Sequence, residues 1–185
     1  MVITLVTGPD ALPVTMVDAK ENLKVSDNNQ DQSILRLMRS ATDNIELATG
    51  QRLITQTWDY YRDCLEEIMR IPYPPLQSVS YVKYIDSNGA WQTLSTDLYT
   101  VDTYHFPGRI FRTYNAVWPT VQNTPNCVQI RFVAGYGSAQ KVPARFVDMI
   151  LLDMKRNFEP TEDKYFQNLN DRLDGMILKD RVTWL

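Results

Sequence analysis

Residues 53–60, Leu-Ile-Thr-Gln-Thr-Trp-Asp-Tyr, mark the point where the hydrophobic pattern of the chain changes its period. Two sets of residues alternate along this segment, and both are rich in β-branched and aromatic side chains, which is typical of a strand. Residues 79–85 alternate in the same way, and residues 127–134 form the last such segment. Shorter strands are expected near 91–94 and 99–102.

Turn residues separate these segments. Pro72, Pro74 and Pro75 lack a backbone N–H, so they are expected in a connection and not inside a central strand. The sequence Asp-Ser-Asn-Gly at 86–89 supplies the residue types of a hairpin turn. Residues 53–137 are therefore predicted to form an inserted antiparallel β lobe.

Helical patterns lie on both sides of this lobe. Apolar residues recur every three or four positions near 15–23, 30–49 and 143–158, which predicts three helices. Thr15 and Asp18 resemble a capping box at the start of the first helix. The apolar stripe of the second helix consists of five residues: Ile34, Met38, Ala41, Ile45 and Ala48.

These patterns predict an α+β protein. Residues 1–52 and 138–160 are expected to form a helical core, and residues 53–137 form the inserted lobe. Residues 161–185 carry a thinner apolar stripe among charged residues and are predicted to be a C-terminal helix or tail. We expect this segment either to fold back on the helical core or to extend to a neighbouring protein.

Composition excludes several classes of function. The net charge of −3 lacks the basic surplus of a general nucleic-acid binder. No apolar run is long enough to span a bilayer, and the first residues lack the basic start of a signal peptide. Cys64 and Cys127 are far apart and the chain has one His, so a zinc site is not expected. No cofactor is predicted.

Three local features resemble functional sites but lack the residues or the spacing that those sites require. Residues 27–31 hint at a calcium loop, but position six is Gln32 where glycine is required and position twelve is Met38 where glutamate is required. The glycines of residues 135–137 lack the spacing of a phosphate-binding loop. His105 has no identifiable catalytic partners, so no catalytic residue is predicted.

The aromatic residues of the lobe allow two interpretations. They can fill a small β core, or they can be exposed anchors at a protein interface, where Trp and Tyr are enriched. The candidate interface residues are Trp91, Tyr104, Phe106, Tyr114 and Trp118.

A series of short motifs resembles the head–tail connector (adaptor) proteins of tailed phages, in the long form that carries a β insertion. The resemblance covers about residues 12–160 and depends on the order of the motifs. In chain order they are Leu-Ile-Thr-Gln-Thr-Trp (53–58), Pro-Pro-Leu-Gln-Ser-Val (74–79), Tyr84-x-Asp86-x-x-Gly89, Tyr99-x-Val-Asp102, Pro107-Gly-Arg109, Trp118-Pro119, Phe132-x-Ala-Gly-Tyr-Gly137 and Val-Pro (142–143).

The resemblance implies a structural protein of the virion neck, present in the host cytoplasm during assembly, with no enzymatic role. Such proteins form a ring, usually dodecameric, beneath the portal protein. The ring extends the DNA channel, through which DNA passes without sequence-specific binding, and offers a platform to the next neck or tail-completion protein. The alternatives are a stopper or tail-completion protein of the same neck, or a small hydrolase or ligand-binding module.

The resemblance also suggests a role for the C-terminal segment, because related connectors dock through their C-terminal ends. Residues 161–185 are therefore predicted to dock on the portal. The candidate docking residues are Phe166, Leu169, Leu173, Met176, Ile177 and Trp184.

Overall fold

The computed structural model describes residues 2–158 and 164–182, with the side chains of residues 164–166 left out. The chain divides into two compact units. The residues up to Pro9 and Thr55–Tyr136 form one, here called the β unit, and Asp10–Ile54 with the residues from Gly137 onward form the other, the helical unit.

The helical unit contains four α-helices in the described part of the chain: α1 (Met16–Leu23), α2 (Asp31–Thr49), α3 (Ala144–Phe158) and α4 (Lys164–Asp180). The capping box predicted for α1 is confirmed, since the hydroxyl of Thr15 accepts a hydrogen bond from the backbone N–H of Asp18 at 3.2 Å. The carboxylate of Asp18 returns the interaction by accepting from the Thr15 hydroxyl at 2.7 Å. Helix α1 therefore begins where the sequence predicts.

Helix α2 is the centre of this unit and contacts α1, α3 and α4. It ends at Gly50, whose φ of 72° is the left-handed conformation that glycine adopts without strain. The predicted stripe is confirmed at four of its five positions, and Ala48 is half-buried. The buried apolar residues of α2 and α3 form the centre of the helical core: Ile34, Met38, Ala41, Ile45, Phe146, Met149, Ile150 and Met154.

The β unit contains eight described strands: β1 (Val2–Thr7), β2 (Gln56–Arg62), β3 (Ile68–Arg70), β4 (Leu76–Ile85), β5 (Trp91–Thr93), β6 (Tyr99–Asp102), β7 (Arg109–Arg112) and β8 (Val128–Ala134). A five-stranded sheet has the order β1-β2-β8-β4-β5, and a three-stranded sheet has the order β3-β7-β6. All neighbouring strands are antiparallel. The prediction of an α+β fold with an antiparallel β lobe is confirmed.

The two sheets share one hydrophobic core. Strand β8 contributes one of its faces to this core, because its alternate residues are buried and the residues between them are half-buried. Buried residues from both sheets pack together: Tyr60, Met69, Leu76, Val82, Tyr99, Ile110, Val128, Ile130, Phe132 and Ala134. The three-stranded sheet is therefore held by apolar contact with the larger sheet.

The first strand differs from the sequence analysis, which assigned residues 1–52 to the helical core. Val2–Thr7 instead pairs with β2, from Val2 opposite Tyr61 to Thr7 opposite Thr57. The β unit is consequently not a simple insertion, because the chain enters it, leaves to build α1 and α2, and returns.

None of the helices in the described ranges combines the length and apolarity that a membrane span requires.

Candidate interaction surfaces

The side chains that were considered as metal ligands or catalytic groups make structural contacts. Within the described residues, no cluster of His, Cys, Asp and Glu side chains could hold a metal ion. The Nδ1 atom of His105 lies 2.7 Å from the carbonyl oxygen of Pro107 and fixes its own loop. Cys64 and Cys127 are free thiols, and the buried Sγ of Cys127 lies 3.0 Å from the carbonyl oxygen of Asp63.

The loop that hinted at calcium is filled by a lysine. The ammonium group of Lys20 lies 2.5 Å from a carboxylate oxygen of Asp31 and 2.7 Å from the side-chain oxygen of Asn28. Asp27 accepts a hydrogen bond from the backbone N–H of Asn29 at 2.8 Å. These contacts support the interpretation of the segment as a polar loop before α2.

The structure separates the five aromatic residues that were predicted as an interface. Trp91 in β5 is 48% exposed, and Tyr104 and Phe106, between β6 and β7, are 100% and 51% exposed. Tyr114, which follows β7, is 90% exposed. Trp118 is half-buried and packs against the β core. The exposed aromatics thus lie at different places, because Tyr104 and Tyr114 follow opposite ends of the β6–β7 pair.

The loop at residues 103–108, here called the aromatic tip, is held by Asp102. Its Oδ1 accepts hydrogen bonds from the backbone N–H groups of Tyr104 and His105 at 3.0 and 3.1 Å, and its Oδ2 accepts from Arg109 at 3.0 Å. Desolvation alone would raise the pKa of Asp102, but the hydrogen bonds from Arg109, His105 and Tyr104 outweigh it and lower this pKa below its ordinary value. The charged carboxylate therefore stabilises the tip.

The other end of the aromatic tip depends on a close approach at Gly108. The carbonyl oxygen of Gly108 accepts a hydrogen bond from the N–H of Ile71 at 2.8 Å. A Cβ atom at Gly108 would lie 2.5 Å from the Cβ of Leu76 and 2.6 Å from its Cδ2. Only glycine fits this position without movement of β4.

The loop that carries Tyr114 is also fixed by backbone contacts. Arg112 donates a hydrogen bond to the carbonyl oxygen of Ala116 at 2.7 Å, and the N–H of Ala116 donates to Thr113 at 3.0 Å. This turn exposes Tyr114 and, at 76%, Val117. Ordered loops that display apolar side chains lose little conformational freedom when a partner binds them.

The face of the five-stranded sheet opposite the core is polar and internally paired. Arg131 forms two hydrogen bonds with the carboxylate of Asp59, at 2.8 and 2.7 Å, and these bonds raise the pKa of the guanidinium. Arg131 and Lys83 both lie over the ring of Tyr81, at 5.1 and 4.6 Å from its centroid. Burial and the charge of Asp59 raise the pKa of Tyr81. Asp59 therefore neutralises the charge of Arg131 on this face.

Strand β1 is a surface that sequence reasoning missed. Five of its six residues are exposed, including Val2, Leu5 and Val6. It pairs with β2 on one side only, because it is the first strand in the order of the sheet. Its β-branched composition and the turn residues Gly8 and Pro9 after it were the available signals, but they do not show that this strand belongs to the β unit.

The predicted docking residues are partly used by the helical unit itself. Leu173 is buried at 2% exposure, and Leu169, Met176 and Ile177 are half-buried. The side chain of Phe166 and residue Trp184 lie outside the described residues. While α4 stays packed, Leu173 contributes to the helical core and cannot contact a partner.

Helix α4 is anchored to the rest of the helical unit near its C-terminus. It contacts both α2 and α3. Arg145 forms an ion pair with Asp180 at 2.8 Å, and the side chain of Gln51 donates to the Asp180 carbonyl oxygen at 2.5 Å. The N–H of Val182 donates to Thr49 at 2.9 Å. The described part of the C-terminal segment therefore folds back on its own helices, which is the first of the two expectations for it.

The fold is similar to that of chains in structures of gene transfer agent (GTA) particles. A chain from the neck of an empty GTA particle, computed with C6 symmetry, matches with a TM-score of 0.80 at 17% sequence identity. A chain from the virion of a native GTA particle matches at 0.78 and 16%, and one from the neck of a native GTA particle, computed with C12 symmetry, at 0.76 and 20%.

Each of these matches covers 100% of this chain and 97% of the other chain. No protein-family model matches the chain, and no curated protein matches it. The similarity shows a shared fold over the whole length, including the helices and the β unit. It does not by itself determine the function, because one fold can serve several functions.

Proposed function

We propose that this chain is a structural subunit of the neck of a tailed, phage-like particle. More specifically, it is a head–tail connector, or adaptor, that forms a ring beneath the portal protein. The ring extends the DNA channel and offers a platform to the next neck protein. The observation that carries the proposal is the whole-chain similarity to chains from GTA necks, combined with the order of connector-like motifs in the sequence.

The surface of the chain supports an assembly role. Exposed apolar side chains occur at β1, at β5, at the aromatic tip and in the loop after β7. Scattered exposed apolar residues are ordinary, but these lie on ordered loops and a free strand edge. A subunit of a closed ring needs at least two different contact surfaces, because each copy meets one neighbour on either side.

The symmetry of the similar structures supports a ring. Necks computed with C6 and C12 symmetry contain the chains that this fold matches. A ring of twelve such subunits is compatible with both symmetries, and twelve is the number that the connector resemblance implies. The mild net charge of −3 suits a channel wall along which DNA slides, since dense Lys and Arg would hold phosphates.

Mass photometry of the purified chain, alone and with its portal protein, tests this proposal. We expect a ring-sized species that becomes more abundant with the portal, because a portal template places the subunits side by side. A chain that remains monomeric in both conditions contradicts the proposal. The same measurement with the next neck protein in place of the portal tests the alternative, because a stopper or tail-completion protein does not require direct portal contact.

A further inference from the structure

Among the described residues, the five-stranded sheet ends at β1 on one side and at β5 on the other. Every neighbouring pair in this sheet is antiparallel. The first, third and fifth strands of such a sheet run in the same direction, so β1 and β5 point the same way. If copies of the sheet are placed side by side in one orientation, the β1 edge of one copy lies along the β5 edge of the next.

The β1 edge lacks two of the features that usually prevent strand pairing. Natural edge strands are blocked by charged side chains, by proline, by shortness or by β-bulges. Strand β1 has one irregularity, between Leu5 and Thr7, and Val2–Leu5 pair with β2 in regular register. The sequence of β1, Val-Ile-Thr-Leu-Val-Thr, contains neither a charge nor a proline over six residues. Val2, Leu5 and Val6 are 44%, 51% and 42% exposed. An edge of this kind is suited to be covered in the assembled protein.

The β5 edge is short, with three residues, but it is uncharged and open. Its three residues, Trp91-Gln-Thr93, are uncharged and exposed. Hydrogen bonds from Leu94 to Val82 and from Asp86 to Ala90 show that alternate residues of this segment face β4. The main-chain groups of Trp91 and Thr93 therefore point away from β4, toward the free side.

We propose that β1 of one subunit pairs with β5 of the next subunit and forms the lateral contact of the ring. This inference depends on the proposed function, since it assigns the surfaces by which ring subunits meet. The occupant is a second copy of this chain, because the two edges are different, uncharged and parallel, as a head-to-tail contact requires. Trp91 is the apolar anchor of the contact, since it lies on the same face of the sheet as Val2 and Thr4 of β1.

A charge placed on the β1 edge tests the contact. Leu5→Lys introduces an exposed ammonium group that blocks pairing, and the fold tolerates it because Leu5 is half exposed. Leu47→Lys is the matched control, since Leu47 lies on α2 and is 82% exposed. In mass photometry with the portal, the ring population of Leu5→Lys is expected to be at least ten-fold lower than that of the wild type. Leu47→Lys is expected to assemble like the wild type.

Disulfide trapping tests the same contact by geometry. Thr4 and Thr93 lie on the same face of the sheet, because Thr4 is opposite Asp59, Asp59 is opposite Arg131, and that face continues through β4 to Thr93. In a Cys64→Ser background, cysteine is introduced at Thr93 together with either Thr4 or, one step along the face, Val2. One of these two pairs is expected to give a ladder of cross-linked oligomers, whereas single-cysteine chains stop at dimers.

The outcomes separate the two proposals. If the wild-type chain forms rings but Leu5→Lys assembles normally and neither cysteine pair gives a ladder, the edge contact is wrong and the neck function stands. Equal loss of rings in Leu5→Lys and Leu47→Lys also contradicts the edge contact. If Leu5→Lys forms rings but no longer binds the portal, β1 belongs to a partner protein. A wild-type chain that never forms rings contradicts both proposals.

Discussion

Replacement of Gly108 by alanine tests how the aromatic tip is built. The new Cβ would lie 2.5 Å from the Cβ of Leu76, whereas carbon atoms in favourable contact are about 3.5–4.0 Å apart. The Cβ of Leu76 is fixed to the backbone of β4, so a change of rotamer cannot remove the overlap. Overpacking of this kind costs about 1–3 kcal/mol, which corresponds to a loss of about 2–12 °C in Tm for a chain of this size.

The same substitution at Gly175 is the matched control. A Cβ there meets nothing within 4 Å, and the residue lies inside α4. Alanine stabilises an exposed helix position by about 0.5–1 kcal/mol relative to glycine. The two glycine-to-alanine changes should therefore shift Tm in opposite directions.

Differential scanning calorimetry measures both shifts, and hydrogen exchange locates the first. Since Ile71 donates its N–H to Gly108, the Ile71 amide should exchange faster in the Gly108→Ala variant. A Gly108→Ala variant as stable as the wild type, with an unchanged Ile71 amide, would refute the close packing of the tip on β4. A destabilised Gly175→Ala variant would refute the helical conformation of α4.

Two further predictions concern the helical core and the pH dependence of the tip. Ile45→Ala should lower the free energy of unfolding, measured by chemical denaturation, by about 2–5 kcal/mol because Ile45 is buried at 1% exposure. The exposed Leu47→Ala should change it by less than about 0.5 kcal/mol. Similar losses for both variants would contradict the orientation of α2. Because the folded-state pKa of Asp102 lies below its unfolded value, its contribution is complete above a pH of about 4 and is lost as the pH falls through the folded-state pKa. The protection factors of the Tyr104 and His105 amides, which compare their hydrogen-exchange rates with those of an unstructured chain at the same pH, should therefore fall at low pH in the wild type. An equal fall in Asp102→Asn would contradict this assignment.

The helix boundaries were predictable because they depend on residues close in sequence. The capping box at Thr15 and the left-handed glycine at position 50 can both be recognised within a few residues of the helix ends. The alternation of residues 128–134 likewise predicts a strand with one buried face. Local patterns of this kind need no knowledge of the partner elements.

The remaining features depend on residues far apart in sequence. Strand β1 is stabilised by pairing with β2, about fifty residues later, and the turn residues Gly8 and Pro9 beside it do not indicate which strand it pairs with. Strand β3 has only three residues, too few to show a period. The return of α4 to its own unit depends on contacts such as that between Gln51 and Asp180, which no local pattern predicts.

The candidate surfaces were predictable by residue type but not by location. Aromatic residues indicated an interface, yet their sequence gave no sign that Trp118 packs on the core while Tyr114, four positions earlier, is exposed. Burial of a loop residue is decided by the neighbouring sheet and not by the loop. The division of the lobe into two sheets was for the same reason not predictable.

Electron microscopy of the chain assembled on its portal tests the central claim most directly. If the chain is a neck connector, class averages should show a closed ring of this protein, with twelve-fold rotational symmetry and an open centre, stacked on one end of the portal. Particles in which the portal is bare, or in which the chain binds as isolated copies without a ring, would contradict the account.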